Sequence, residues 1–158
     1  METGMNISVD YDLLAEQVED FVDEEPFYVS ALSNIAALVW ASLGRINWVG
    51  FYIVRNEELT LGPFQGKVAC IHIAPGKGVC GTAWKNDETL AVPDVHEFPG
   101  HIACDSASNS EIVIPIHHDG EVAAVLDIDS PLFSRFDEAD RLGLEKLVRV
   151  IENSVVWD

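Results

Sequence analysis

Basic residues are scarce. Nine lysines and arginines stand against 27 aspartates and glutamates, a formal charge of -18 over 158 residues. A nucleic-acid groove needs clustered Lys and Arg to meet phosphate, so that class of partner is excluded, and anionic membranes are disfavoured for the same reason. Long apolar runs are also missing. The most apolar stretch, YVSALSNIAALVWASLG from Tyr28 to Gly44, is broken by Ser30, Ser33, Asn34 and Ser42. It falls short of the roughly 18 to 20 apolar residues that cross a bilayer. The start, METGMNISVDYD, is acidic and has no basic segment, so no secretory leader is expected and the expected compartment is the cytoplasm. Cysteine is sparse and odd in number, at Cys70, Cys80 and Cys104, which argues against a structural disulfide framework. No CxxC or HxxxH pair is present, so Cys70, His72, Cys80, His96, His101 and Cys104 do not form a recognisable zinc pattern. P-loop, dinucleotide fingerprint and nucleophile elbow are absent, as are repeats, linkers and low-complexity tracts.

What is present suits one domain with one core: 48% of the residues are apolar, an ordinary share for a globular chain of this size. Residues 11–23 carry Leu14, Val18, Phe21 and Val22 at helical spacing, broken at Pro26; residues 28–43 read as a buried helix stopping at Gly44. INWVGFYIV (46–54) predicts a strand, RNEE a turn, LTLGPF the return strand and VACIHI (68–73) another short strand. A helical turn is expected through GTAWKN and a short strand in TLAVPD, followed by a long loop over 95–110. Residues 111–130 predict a hairpin turning at Asp119-Gly120. The last segment, FDEADRLGLEKLVRVIENSVVW, predicts a helix capped by Asp137, with Leu142, Leu144, Leu147, Val148 and Ile151 on its apolar face. Strands joined by hairpins, with helices at both ends, give an α+β class with a mainly antiparallel sheet.

Each thiol has a different local setting. Cys104 stands in ACDSAS, among small and polar residues rather than the apolar neighbours of a packing cysteine. Either it is a bystander in a loop or the loop presents it. Cys70 alternates with Val68 and His72 on one strand face. Cys80 lies in the glycine-rich APGKGVCGTAW, where a helix start would lower its pKa. Inert burial is the alternative for all three.

The acids are the second signal. In VLDIDS, strand alternation puts Asp127 and Asp129 on one face, in positions that normally disfavour Asp. They face solvent, or they line a pocket that holds a cation or a metal, or shares a proton. The hairpin brings Glu111 near residue 128, so three carboxylates converge. Trp48 shares a strand face with Gly50 and Tyr52 and is either a core residue or the floor of a ligand site.

Four blocks, NWVGFY, GPFQGKVACIHIAPGKGVCGTAW, VPDVHEFPGHIACDSASNSEIVIPI and AVLDIDSPLFSRFDEAD, resemble the free methionine-(R)-sulfoxide reductases, single GAF-domain enzymes. The similarity runs from about residue 11 to 155, and the cysteine-bearing blocks are specific to this branch of GAF domains. The resemblance implies one GAF domain over residues 1–158, with about six strands and the N- and C-terminal helices packed on one face. It implies that Cys104 is the nucleophile, Cys70 the cysteine that resolves it and Cys80 a further thiol in recycling. Glu111, Asp127 and Asp129 would bind the substrate ammonium and polarise the sulfoxide, and Trp48 would wall the substrate methyl group. A residue within a chain has no α-ammonium, so free methionine sulfoxide fits the carboxylates. No cofactor or metal is implied; the reductant would be a thioredoxin-type protein, and a homodimer is plausible. The rival class is a GAF sensor that binds a small ligand and uses its cysteines as a redox switch.

Overall fold

The computed structural model describes residues 8–101 and 107–157. Two helices come first, α1 (Tyr11–Glu24) and α2 (Tyr28–Ser42). Asp10 starts α1 by accepting the Leu13 N–H at 3.0 Å, which satisfies one of the donors a helix start leaves free. The last helix, α4 (Glu138–Ser154), begins with a reciprocal capping box between Asp137 and Asp140. Its Leu144, Leu147, Val148 and Ile151 are buried, as the periodicity predicts. Leu142 is a correction: it is 54% exposed. At about 100° per residue it lies roughly 160° around the helix from Leu144, on the solvent side.

Between the helices run β1 (Trp48–Arg55), β2 (Glu58–Gly66), β3 (His72–Ile73), a helix α3 (Gly78–Asn86), β4 (Leu90–Val92), β5 (Ser110–His118) and β6 (Glu121–Ser130). They form one six-stranded sheet in the order β3-β2-β1-β6-β5-β4, with every neighbouring pair antiparallel. Both tight hairpins turn on two left-handed residues, Asn56-Glu57 and Asp119-Gly120, the geometry that matches strand twist. Strand alternation then divides the molecule. Val49, Phe51, Ile112, Ile114, Ile116, Leu126 and Ile128 pack under α1, α2 and α4. Trp48, Tyr52, Val113 and Val125 point to the opposite face, where they meet Val79, Cys80 and Ala83 of α3. The terminal helices therefore share one face, as expected, and α3 covers the other. Among the described residues, no helix is long and apolar enough to cross a membrane.

The strand expected over residues 68–73 is reduced to His72–Ile73. Leu61 N–H donates to the Ile71 carbonyl at 2.8 Å, and the next donor of β2 facing that segment would be residue 63. It is Pro63, which has no N–H, so the ladder stops there. Val68 is 88% exposed, and the alternation expected for Val68, Cys70 and His72 does not extend through the segment.

The two terminal helices touch at a glycine. A Cβ on Gly143 would stand 2.1 Å from the Tyr11 ring. That ring is tied down, because its hydroxyl donates to Asp140 Oδ1 at 2.7 Å and Arg135 holds the other Asp140 oxygen at 3.1 Å. Overpacking costs about 1–3 kcal/mol, against a helix-propensity gain of about 1 kcal/mol for Gly→Ala. The net cost is up to about 2 kcal/mol, so Gly143→Ala is expected to lower Tm by up to about 8 °C, at about 2–4 °C per kcal/mol for a domain of this length. A melting curve at or above the wild-type midpoint would mean that Tyr11 moves aside without losing its bond.

Candidate active site

The site is built by strand register. Asp129 lies opposite Trp48 on β1 and opposite Glu111 on β5; in the next row Asp127 lies opposite Gly50 and Val113. Directly opposed residues share a face, so Trp48, Asp129, Glu111 and Asp127 point the same way. Glu111 was expected near residue 128. It pairs with Asp129 because the β5–β6 ladder has an irregularity between Ile116 and His117 that skips Ala123. That bulge shifts the register by one and leaves the three acids on one face.

Trp48 lies flat against the sheet. A Cβ on Gly50 would meet its ring at 2.6 Å, and so would one on Gly66, so two glycines make the bed for the indole. Phe64 stacks on it with centroids 5.3 Å apart, and Tyr52 follows at 5.9 Å. The Trp48 ring N–H donates to the Lys67 carbonyl at 3.1 Å, and the Tyr52 hydroxyl donates to the Cys70 carbonyl at 2.9 Å. These two bonds tether the segment that carries Cys70, in place of the strand that Pro63 prevents. Phe64 was not picked out from the sequence, and Tyr52 only as a neighbour on the strand face of Trp48. The signal was there for Tyr52, which shares period-two alternation with Trp48; Phe64 needs the hairpin register with Gly50.

Glu111 and Asp127 are more than nine-tenths buried. Asp127 Oδ1 and Asp129 Oδ1 have no hydrogen-bond partner among the described residues. Burial raises the pKa of all three carboxyls, and the like charges of Asp127 and Asp129 push Glu111 higher still. The row therefore keeps protons that isolated carboxylates would have lost. Tyr52 is also driven up, by burial first and then by the Asp127 charge.

Cys80 sits in the first turn of α3 with its Sγ 4.0 Å from Glu111 Oε2. A helix start was expected to lower its pKa. The opposite holds: burial, then the charges of Asp127 and Glu111, push the thiol well up. Loss of hydration and the two neighbouring carboxyls outweigh the partial positive charge of a short helix. Cys80 is a free thiol, whereas Cys70 is disulfide-bonded. Cys104, the expected nucleophile, lies outside the described residues. Two of the three histidines considered as metal ligands are paired elsewhere. His72 pairs with Glu58 at 2.6 Å and His96 with Asp94 at 2.8 Å, both largely exposed, while His101 borders the pocket that holds the acids.

The GAF domain family matches residues 28–155. A protein of Escherichia coli named free methionine-R-sulfoxide reductase is 49% identical over 128 residues, covering 81% of this chain and 78% of that one. The structure of a Staphylococcus aureus fRMsr in its reduced form superposes with a TM-score of 0.92 at 49% identity, covering 95% of this chain and 97% of that chain. A free methionine-R-sulfoxide reductase from Neisseria meningitidis, in complex with its substrate, gives 0.88 at 44% identity, covering 91% and 87%.

The buried acids make a prediction about stability. An acid whose folded pKa is raised binds more protons folded than unfolded. Its contribution is full below the unfolded pKa, near 3.8 for Asp, and is lost as pH rises through the folded value. Asp129→Asn cannot ionise and escapes that loss. The variant is expected to gain in Tm over wild type progressively as pH rises from about 4 towards 8. A difference that stays flat, or narrows, across that range would contradict the raised pKa.

Proposed function

The chain belongs to the free methionine-R-sulfoxide reductases, enzymes built on a GAF domain, and from that premise we propose how its residues carry the reaction. It is an oxidoreductase, and its substrate in this reading is free L-methionine-(R)-sulfoxide. The observation that carries the reading is the buried row of Glu111, Asp127 and Asp129 beside the Trp48 ring, with two carboxylate oxygens unpartnered among the described residues. A buried anion without a counter-charge is unfavourable; a substrate ammonium supplies the charge. The first turn of α3 borders the same pocket and has no side-chain cap, so its N–H groups suit the substrate carboxylate. Trp48 then faces the methyl group.

Cys104 attacks the sulfoxide sulfur as a thiolate. The sulfoxide oxygen needs a proton, and a carboxyl held neutral in the acid row is suited to give it. The products are methionine and the Cys104 sulfenic acid. The Cys70 thiol condenses with it, releasing water and forming the disulfide. A thioredoxin-type dithiol reduces that bond and is itself oxidised. Cys70 being held in a disulfide supports the resolving role. Cys80 takes the later, recycling role: a buried thiol with a raised pKa exchanges slowly, which puts Cys70 first. No cofactor takes part.

Cys104→Ser should abolish reduction even with dithiothreitol as reductant; turnover in that variant would remove the mechanism. Mass mapping after a single oxidation by substrate should find Cys70 joined to Cys104. A Cys80–Cys104 bridge as the first product would exchange the roles of the two partners.

Substrate recognition is tested by a double comparison. Losing one partner of a buried charge pair costs about 2–5 kcal/mol, or about 30-fold to several thousand-fold in kcat/KM at 1.4 kcal/mol per decade. N-acetyl-methionine sulfoxide, lacking the ammonium, should be a very poor substrate for wild type. Asp127→Asn should harm the free amino acid far more than the acetylated one, whereas loss of a proton donor would slow both alike. Equal wild-type activity on the two compounds would sink the assignment and favour a sensor-type pocket.

A further inference from the structure

We propose that the acid row is also a binding site for a thiophilic divalent cation such as zinc, held by Cys80 Sγ, one Glu111 oxygen and one Asp127 oxygen. The three ligand atoms come from α3, β5 and β6 and lie within 4.8 Å of one another. Sequence spacing gives no hint of them, because the fold and not a local motif brings them together. A tetrahedral zinc ion, with bonds of about 2.3 Å to sulfur and about 2.0 Å to oxygen, sets its ligand atoms roughly 3.3–3.5 Å apart. The Cys80 Sγ to Glu111 Oε2 separation is 4.0 Å, so a closure of about half an ångström completes that edge, within reach of small side-chain rotations.

A second observation points to a cation. Asp127 is only 5% exposed and its Oδ1 has no partner among the described residues; the Asp129 Oδ1 atom is also buried without a partner there. Lys77 and His101 border the pocket, but no ion pair joins either to the three acids among the described residues. One thiolate with two carboxylates suits a borderline-soft ion, whereas calcium and magnesium prefer all-oxygen sets. Water from the pocket fills the fourth position. The ion and a substrate ammonium need the same oxygens, so the ion is a competitor and not a resident cofactor. The proposal requires only that these side chains meet; it does not depend on sulfoxide reduction.

Cobalt(II) alone, titrated into the full chain with Cys70 kept in its disulfide, is the probe. Binding at this site gives a thiolate-to-cobalt charge-transfer band together with the intense visible bands of four-coordinate cobalt, and zinc added afterwards removes both. Calorimetry with zinc alone should show at least tenfold weaker binding in Cys80→Ser and in Asp127→Asn. A wild-type protein that binds no metal, or cobalt bound without the thiolate band, would overturn the proposal. So would zinc affinity unchanged in both variants. Should Cys80→Ser fail to fold, the wild-type cobalt spectrum and the Asp127→Asn titration still decide.

Discussion

Three carboxyls buried on one sheet face are the constraint around which the rest of this molecule is arranged. Nothing in hydrophobic patterning asks for them; each one raises the free energy of the fold unless it keeps a proton or gains a cation. The surroundings make them tolerable. Burial holds protons on them, the Ser108 hydroxyl favours the charged form of Asp129, and Gly50 leaves the position across from Asp127 without a side chain. What remains, among the described residues, is two carboxylate oxygens without partners, Oδ1 of Asp127 and of Asp129.

The sheet makes this arrangement affordable by separating two tasks. The face under α1, α2 and α4 is apolar throughout its centre, from Phe51 on β1 to Ile112 on β5 and Leu126 on β6. Burying a side chain of that size contributes about 1.5–3 kcal/mol, so this layer supplies most of the stability. The opposite face gives up apolar positions to Asp127, Asp129 and Glu111 and is covered by one short helix. Strand alternation lets adjacent residues, such as Ile128 and Asp129, serve the two layers independently. Substitutions in the acid row should therefore leave the helix-covered layer intact, which makes chemistry and folding separable by mutation.

Local signals were readable in the sequence and non-local ones were not. The helices announced themselves by 3.6-residue spacing and by Asp10 and Asp137 as caps, and the long hairpin by Asp119-Gly120. The turn position put Glu111 at the same end of the ladder as Asp127 and Asp129 but did not put it on their face. The exact partner of Glu111 was not legible, because the skipped Ala123 leaves no mark of its own. The shortened β3 was invisible for a similar reason: its cause, Pro63, belongs to the strand across from it. The direction of the Cys80 pKa was misjudged because the helix start is local while the opposing carboxylates arrive from β5 and β6. Cys104 is legible as a chemical candidate from its polar neighbours alone, and its role rests on the family and on the proposed chemistry.

The overall charge of -18 and the acid row act at different ranges. Exposed charges are screened over about 8–10 Å at physiological salt; they raise the local concentration of cations without choosing among them. Choice begins where water is excluded. In the proposed reading a proton, an ammonium group and a divalent ion compete there for the same oxygens, and neighbours distinguish them. A proton needs no space. A divalent ion of the soft kind needs the Cys80 sulfur. An ammonium on an amino acid also brings a carboxylate and an apolar side chain, which the start of α3 and the Trp48 ring can meet. Selectivity for the amino acid then comes from groups that flank the charge, and the charge itself supplies the shared attraction. In that reading the aromatic stack of Phe64, Trp48 and Tyr52 belongs to the site as fully as the acids do: removing it would leave the negative charge in place and the discrimination gone.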